Sequence, residues 1–258
     1  MNYQLLLDTA VLAGEIMLTG GAETYRVEDT MDRMLRHAHA ETVETLALMT
    51  GIVVTLNGAD MERPLTVMRT INKRTTNLSN IMKVNDISRK YCGDQITLEE
   101  AWELLNQVKE KQYNRMLYNL ATAGVSVGFA MMLGGNIADV LTAAFVGFML
   151  GLIVTAGKIS RMNAIMMDIF SGMGIALLTF GLYEGTGLPL NTDIIIVSAI
   201  MPIVPGVAIT NAIRDTLYGD YLSGCARILE AFLKAAMIAL GVGVGMALLG
   251  AVIGRSVI

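Results

Sequence analysis

At 258 residues, of which 53% are hydrophobic and 16% charged, and with a mean hydropathy of +0.54, the chain is too apolar for an ordinary soluble domain, so its apolar residues must meet lipid. A formal net charge of −4 and a pI near 5.2 exclude the concentrated basic face that nucleic-acid binding needs. Cys92 and Cys225 stand far apart with no CxxC or Cys/His companion, which leaves neither a zinc site nor a disulfide framework and predicts two free thiols.

Lys, Arg, Asp and Glu crowd the chain as far as Arg115 and thin out after it. This division predicts a small cytoplasmic α+β domain over residues 1–114, followed by a helical membrane domain over residues 115–258. Asp8 and Glu15 interrupt the apolar stretch from Leu5 to Leu18, so that stretch reads as part of the domain, because a signal peptide needs a basic start and an uncharged run. Gly20 to Glu28 then combines a flexible turn with charged residues at a helix start, where Glu23 either favours the positive end of the helix dipole or helps to bind a ligand.

Val27, Met31, Met34, Leu35 and Ala38 form one apolar face at helical spacing, with Glu28, Asp29, Asp32, Arg33 and Arg36 on the other, the pattern of an amphipathic helix. His37 and His39 close that helix without ligand partners at metal spacing, so they are expected to be solvated and no metal site is implied. Three short segments rich in Val, Ile, Leu and Thr, over residues 42–49, 52–57 and 65–71, are punctuated by Thr50-Gly51 and Asn57-Gly58. They predict a small antiparallel sheet with helices on one face. Helical spacing returns from Leu78 to Tyr91 and stops near Gly93, and Thr97 and Glu100 then have capping-box spacing before a last helix that can run on into the membrane.

A membrane helix needs roughly 20 mostly apolar residues, and five runs qualify: 116–135, 137–157, 163–183, 194–213 and 235–251. Asp139 sits at the extreme start of the second, where headgroups and water are near, and Asp168 lies inside the third. Connections without Lys or Arg, near residues 134–136 and 181–193, are expected outside. Those carrying Lys158 and Arg161, or Arg214, Arg227 and Lys234, are expected in the cytoplasm with the N-terminus, which leaves Arg255 outside.

Met201-Pro202-Ile203-Val204-Pro205-Gly206 falls near the centre of the fourth run. Two prolines and a glycine break or kink a helix, and exposed backbone at that depth is tolerated only inside protein or along a water-filled cavity, as in the broken helices of transporters. Asp168, at a cost of about 2.5–3.5 kcal/mol if central, is expected at a polar interior or an interface. Asn211, Arg214 and Asp215 follow the break at helical spacing, and Asp220, Ser223, Arg227 and Glu230 continue a polar loop. Arg214 can offer a bidentate fork to a substrate carboxylate, or the loop can be closed by internal ion pairs. Gly147 and Gly151, Gly241 and Gly245, and Gly250 and Gly254 repeat at four-residue spacing, which permits close helix contact within the chain or with a second membrane subunit.

Gly21-Ala-Glu23-Thr-Tyr25-Arg26-Val-Glu28, Pro205-Gly-Val-Ala, Asn211-Ala-Ile-Arg214-Asp215, Gly219-Asp220 and Ser223-Gly224-Cys-Ala-Arg227 occur in that order. Together with the soluble-plus-membrane layout, they resemble the threonine/serine exporter family. Full-length members look like a fusion of two membrane halves, and this sequence is similar to the first. The resemblance implies a separate small multi-span partner carrying the second half, with threonine, serine or a dicarboxylate such as succinate as cargo.

These readings converge on a non-enzymatic, cofactor-free subunit of a proton-coupled secondary exporter in the cell inner membrane, in contact with lipid, its partner and a small-molecule substrate, with a homo-oligomer open. Its pathway would use Asp168, Pro202, Pro205, Gly206, Asn211, Arg214 and Asp215. The absence of a Walker motif disfavours ATP-driven transport. A membrane-anchored sensor with a ligand-binding soluble domain is the alternative. An intramembrane aspartyl protease is disfavoured, because Asp139, Asp168 and Asp215 are not placed to share a proton.

Overall fold

The computed structural model describes residues 2–38, 40–58, 61–72, 74–108 and 114–253. His39, Gln112, Gly254 and Arg255 lie outside the described residues, and with them the expectations for a second solvated histidine, the last glycine pair and an external C-terminus. In chain order the elements begin with α1 (Tyr3–Thr19), α2 (Thr24–His37), β1 (Thr42–Leu48), β2 (Gly51–Asn57), β3 (Leu65–Thr70), α3 (Leu78–Cys92) and α4 (Leu98–Asn106). They continue with α5 (Arg115–Met132), α6 (Ile137–Ile159), α7 (Ala164–Thr186), α8 (Thr192–Ile200), a 3₁₀ turn at Met201–Ile203, α9 (Gly206–Leu217) and α10 (Tyr221–Ile253).

The chain separates into two compact units. The first comprises Met1–Lys111 and Gly206–Leu229, and the second Gln112–Pro205 and Glu230–Ile258. Segment Gly206–Leu229, which the charge pattern grouped with the membrane half, therefore belongs to the same unit as the N-terminal region.

In the first unit, α1 is capped by Asn2, whose side chain accepts the Leu5 N–H. Its Leu6, Leu7, Ala10, Ala13, Met17 and Leu18 are wholly buried, and Gln4, Asp8 and Glu15 line the one polar stripe left to the helix. The stretch that could be mistaken for a leader is thus the centre of this unit's core. Helix α2 turns Val27, Met31, Met34 and Leu35 into the same core, each contributing about 1.5–3 kcal/mol by leaving water. The sheet is antiparallel in the order β1-β2-β3, with Val43, Ala47, Ile52, Val54 and Leu56 buried on its inner face. Helix α4 carries the complete Thr97/Glu100 capping box, but it ends at Asn106 with Gln107 as its C-cap, so it does not run on as the sequence allowed. His37 also departs from expectation, since its Nε2 lies 3.0 Å from Asp94 Oδ1 and its ring meets Tyr91 edge-on.

In the second unit, close helix contacts replace side-chain bulk. A Cβ on Gly147 of α6 would strike Ser126 of α5, and one on Gly151 would lie 2.8 Å from Asn119 Oδ1. Gly172 of α7 abuts the Ile238 carbonyl of α10, and Gly241 of α10 abuts the Ile169 carbonyl of α7. Two of the three glycine pairs are therefore occupied within the chain, which is the first of the two uses their spacing permits. Asp139 is fully buried, not bathed by headgroups. It forms a capping box with Asn136, and its two oxygens accept the Asn191 N–H and Nδ2–H at 2.8 Å each.

Among the described residues three helices, α6, α7 and α10, are long and apolar enough to cross a membrane, or four if the broken pair of α8 with its 3₁₀ turn and α9 is one span. The molecule is thus a mostly helical membrane protein. Helix α5, expected as the first span, is not among them, because Arg115, Tyr118 and Asn119 at its start lower its hydropathy. Helix α10 begins at Tyr221, not near Ala235. Its 33 residues reach about 50 Å, well beyond the ~30 Å hydrocarbon layer.

Candidate functional site

The turn between α1 and α2 presents an unusual amount of backbone. Gly21 adopts φ +85°, a left-handed conformation that only glycine takes up without strain. This reversal leaves the Gly21 and Ala22 carbonyls and the first N–H groups of α2 without helical partners. The corner between α9 and α10, in the same unit, supplies those partners. Asn211 Nδ2 donates to the Gly21 carbonyl and Arg227 Nη2 to the Ala22 carbonyl, both at 2.7 Å. The Thr24 N–H donates to Asp215 Oδ1 at 3.0 Å, and the Thr24 hydroxyl to Asp220 Oδ2 at 2.8 Å.

Asn211, Arg214 and Asp215 share one face because they are spaced three and four residues apart on α9. Gly219, with φ +93°, makes the sharp turn into α10, which returns Arg227 to that face. An added Cβ on Gly224 would strike the Thr216 hydroxyl and lie 3.1 Å from the Ala212 carbonyl, so a larger residue would separate the start of α10 from α9. Ser223, Gly224 and Arg227, read from sequence as a loop, are thus helical, and Ser223 and Arg227 are buried. The connection itself shortens to residues 218–220, because Asp215 and the Ala22 carbonyl give Arg227 buried partners and Gly224 lets the start of α10 lie against α9.

Charges are concentrated here. Arg227 Nε lies 2.9 Å from Asp215 Oδ2, with side-chain exposures of 7% and 0%. Glu23, at the N-terminus of α2, is also buried. Its Oε1 accepts Arg214 Nη1 at 2.6 Å and its Oε2 accepts Arg26 Nη1 at 3.4 Å. Arg214 therefore does not stand as an open fork, because one of its nitrogens is engaged by a carboxylate of the chain itself. Burial alone would push the Glu23 carboxyl up. A backbone N–H, the Arg214 hydrogen bond and the charges of Arg26 and Arg214 outweigh it and hold the group below the ordinary carboxylate value. Tyr25 stacks on Tyr218 with ring centroids 4.0 Å apart.

Glu28 is displaced the other way. Burial raises its pKa, the Ala47 N–H opposes that, and the nearby Asp220 and Asp215 charges add to it. Because the folded-state value lies above the unfolded one, ionised Glu28 costs stability above that raised value, and the cost disappears as pH falls below the ordinary Glu range. Glu28→Gln keeps an oxygen for the Ala47 N–H, which Glu28 Oε1 accepts at 2.8 Å. The variant should therefore show a modestly higher denaturation midpoint than wild type at neutral pH and no difference in acid. A lower midpoint at neutral pH would show that the charge itself is needed.

Beside the ion pairs lies a cavity of about 490 Å³, lined by Glu23, Arg26, Leu78, Ile81, Thr210 and Arg214, with Gly206 and Val207 of the first turn of α9. Pro202 sits in the 3₁₀ turn and Pro205 immediately precedes α9, with Val204 extended between them (φ −60°, ψ 133°). Asp168 belongs to the other unit, mostly buried, with Lys234 Nζ 4.0 Å away. The residues that sequence reasoning passed over are Thr24 and Thr210, together with the Gly21 and Ala22 carbonyls, which carry no side-chain signal at all.

Over residues 8–249 the chain matches the family described as "Putative threonine/serine exporter". It is 25% identical over 254 residues to the "Probable threonine/serine exporter" of Mycobacterium tuberculosis, covering 94% of this chain and 46% of that protein. It is 22% identical over 256 residues to the threonine/serine exporter of Corynebacterium glutamicum, covering 94% of this chain and 51% of that one. The chain thus spans about half the length of these relatives. No solved structure matches it.

Proposed function

The chain belongs to the threonine/serine exporter family, and from that premise we propose that it is one subunit of a secondary transporter exporting small amino acids across the cell inner membrane. A multi-span partner would supply the half that the relatives possess and this chain does not cover. Proton movement would drive efflux, and a dicarboxylate such as succinate is the second cargo class. The N-terminal portion of the first unit would face the cytoplasm, in keeping with the Lys and Arg distribution, and α5 would serve as a fifth, less apolar span within the assembly.

One observation carries this reading. The motif from Gly21 to Glu28 and the motif from Asn211 to Arg227 bond to each other, directly after a helix break of the kind that lines transporter pathways. The pathway would therefore use Asp168, Pro202, Pro205, Gly206, Asn211 and Arg214, with Asp215 paired to Arg227.

Efflux of labelled threonine and succinate from cells co-expressing chain and partner, at matched membrane abundance, tests it. Pro205→Ala gains a backbone donor and should straighten the break and slow efflux. Arg214→Lys keeps the charge without the planar fork and should also slow it. Arg214→Gln should lower efflux further, by about tenfold or more, as expected for losing a charged hydrogen bond. Wild-type rates in all three variants would remove the segment from the pathway.

A further inference from the structure

We infer that the cavity between Arg26, Arg214 and the first turn of α9 binds the carboxylate of a small organic acid, and that buried Glu23 positions both guanidinium groups for it. The ligand class rests on the exporter reading above, whereas the site rests on charge and geometry. Two guanidinium groups share one carboxylate, so the local charge is positive. Glu23 is 5% exposed and has one arginine on each oxygen, which turns it away from the role of a ligand for a substrate ammonium. Arg26 and Arg214 are 39% and 53% exposed. Each engages Glu23 through Nη1 alone, and a guanidinium carries five N–H donors in a planar fork, so both retain donors for a second carboxylate.

The remaining walls suit the rest of such a molecule. Gly206 and Val207 bring first-turn N–H groups, which have no carbonyl four residues back to accept them, and they lie on the same cavity as the two arginines. Leu78 and Ile81 of α3 provide an apolar side. The Thr210 hydroxyl donates to the Gly206 carbonyl, which leaves its oxygen as an acceptor for a ligand hydroxyl or ammonium. The volume, about 490 Å³, falls within the range of about 300–1,000 Å³ usual for small-molecule sites.

The test is calorimetric titration of the full chain in non-ionic detergent with threonine, threonine amide and succinate, well below the unfolding temperature. Threonine, succinate or both should bind, and the amide should not, since it lacks the carboxylate. Arg26→Gln and Arg214→Gln should each weaken binding by about tenfold or more. Glu23→Gln should also weaken it, with partial recovery in Glu23→Asp, whereas a purely structural Glu23 would lower the unfolding midpoint and leave the Kd of folded protein unchanged. Equal binding of threonine and its amide, no binding of either acid, or an unchanged Kd in Arg26→Gln would each overturn the site. Efflux measured in parallel separates the two readings. Export by wild type and Arg26→Gln alike would sink the cavity and spare the exporter, and acid binding without any export by wild type would do the reverse.

Discussion

Asp215→Ala is expected to lower the unfolding free energy by about 3–5 kcal/mol, the cost of breaking a buried ion pair from one side. Arg227 would be left with its charge at 7% exposure and its Nε partner gone, and the Thr24 N–H would lose its acceptor. Arg227→Ala should cost a similar amount, because Asp215 has no access to solvent and the Ala22 carbonyl loses its donor. The double variant Asp215→Leu/Arg227→Met removes both charges and keeps the volume, so it should recover most of the loss, as replacing a whole buried pair with apolar residues often does. Denaturant titration of purified protein in detergent, followed by circular dichroism, measures all three. A loss below about 1 kcal/mol in both single variants, the range of an exposed pair, would show that the corner is held by its other contacts, Asn211 with the Gly21 carbonyl and Thr24 with Asp220 among them.

Gly241→Leu should disrupt the second unit, at a cost of about 1–3 kcal/mol or more. What an added Cβ meets there is the Ile169 carbonyl, a backbone group, and the reciprocal contact sets Gly172 against the Ile238 carbonyl. No rotamer change relieves either clash, so α7 and α10 would have to move apart, losing the close approach that drives association in a medium as apolar as the side chains themselves. Gly243→Ala is the control, because nothing lies within 4 Å of a Cβ there and alanine is the better helix former by about 1 kcal/mol. Thermal aggregation of the detergent-solubilised protein should begin at a lower temperature for Gly241→Leu and not for Gly243→Ala. Equal behaviour of the two would refute the contact.

Local pattern reached far into this fold and stopped at identifiable places. The face of α2 was legible because Val27, Met31, Met34 and Leu35 repeat at helical spacing, and the sheet because glycine-marked turns bound segments of β-branched residues. Helix α10 was read as starting fourteen residues too late because hydropathy tracks lipid, whereas its first turns carry Arg227, whose partners lie inside the first unit. Asp139 was misjudged for a related reason: a position at a helix start says nothing of Asn191, which lies 52 residues away. Both halves of the candidate site stood out as motifs. That Arg214 would spend a nitrogen on Glu23, 191 residues earlier, could not be read from spacing, since the two are neighbours only once α9 has packed beside the turn.

The discontinuity of the first unit has a consequence for biosynthesis. Its N-terminal portion leaves the ribosome with Glu23, Thr24 and the Gly21 and Ala22 carbonyls lacking the partners that Asn211, Arg214, Asp215 and Arg227 later supply. All of Gln112–Pro205 must be translated before those partners exist, a wait on the order of 5–20 s at ordinary elongation rates of about 5–20 residues per second. A nascent chain arrested before Gly206 should therefore be digested by protease at the α1–α2 turn, and one arrested well after Leu229 should resist.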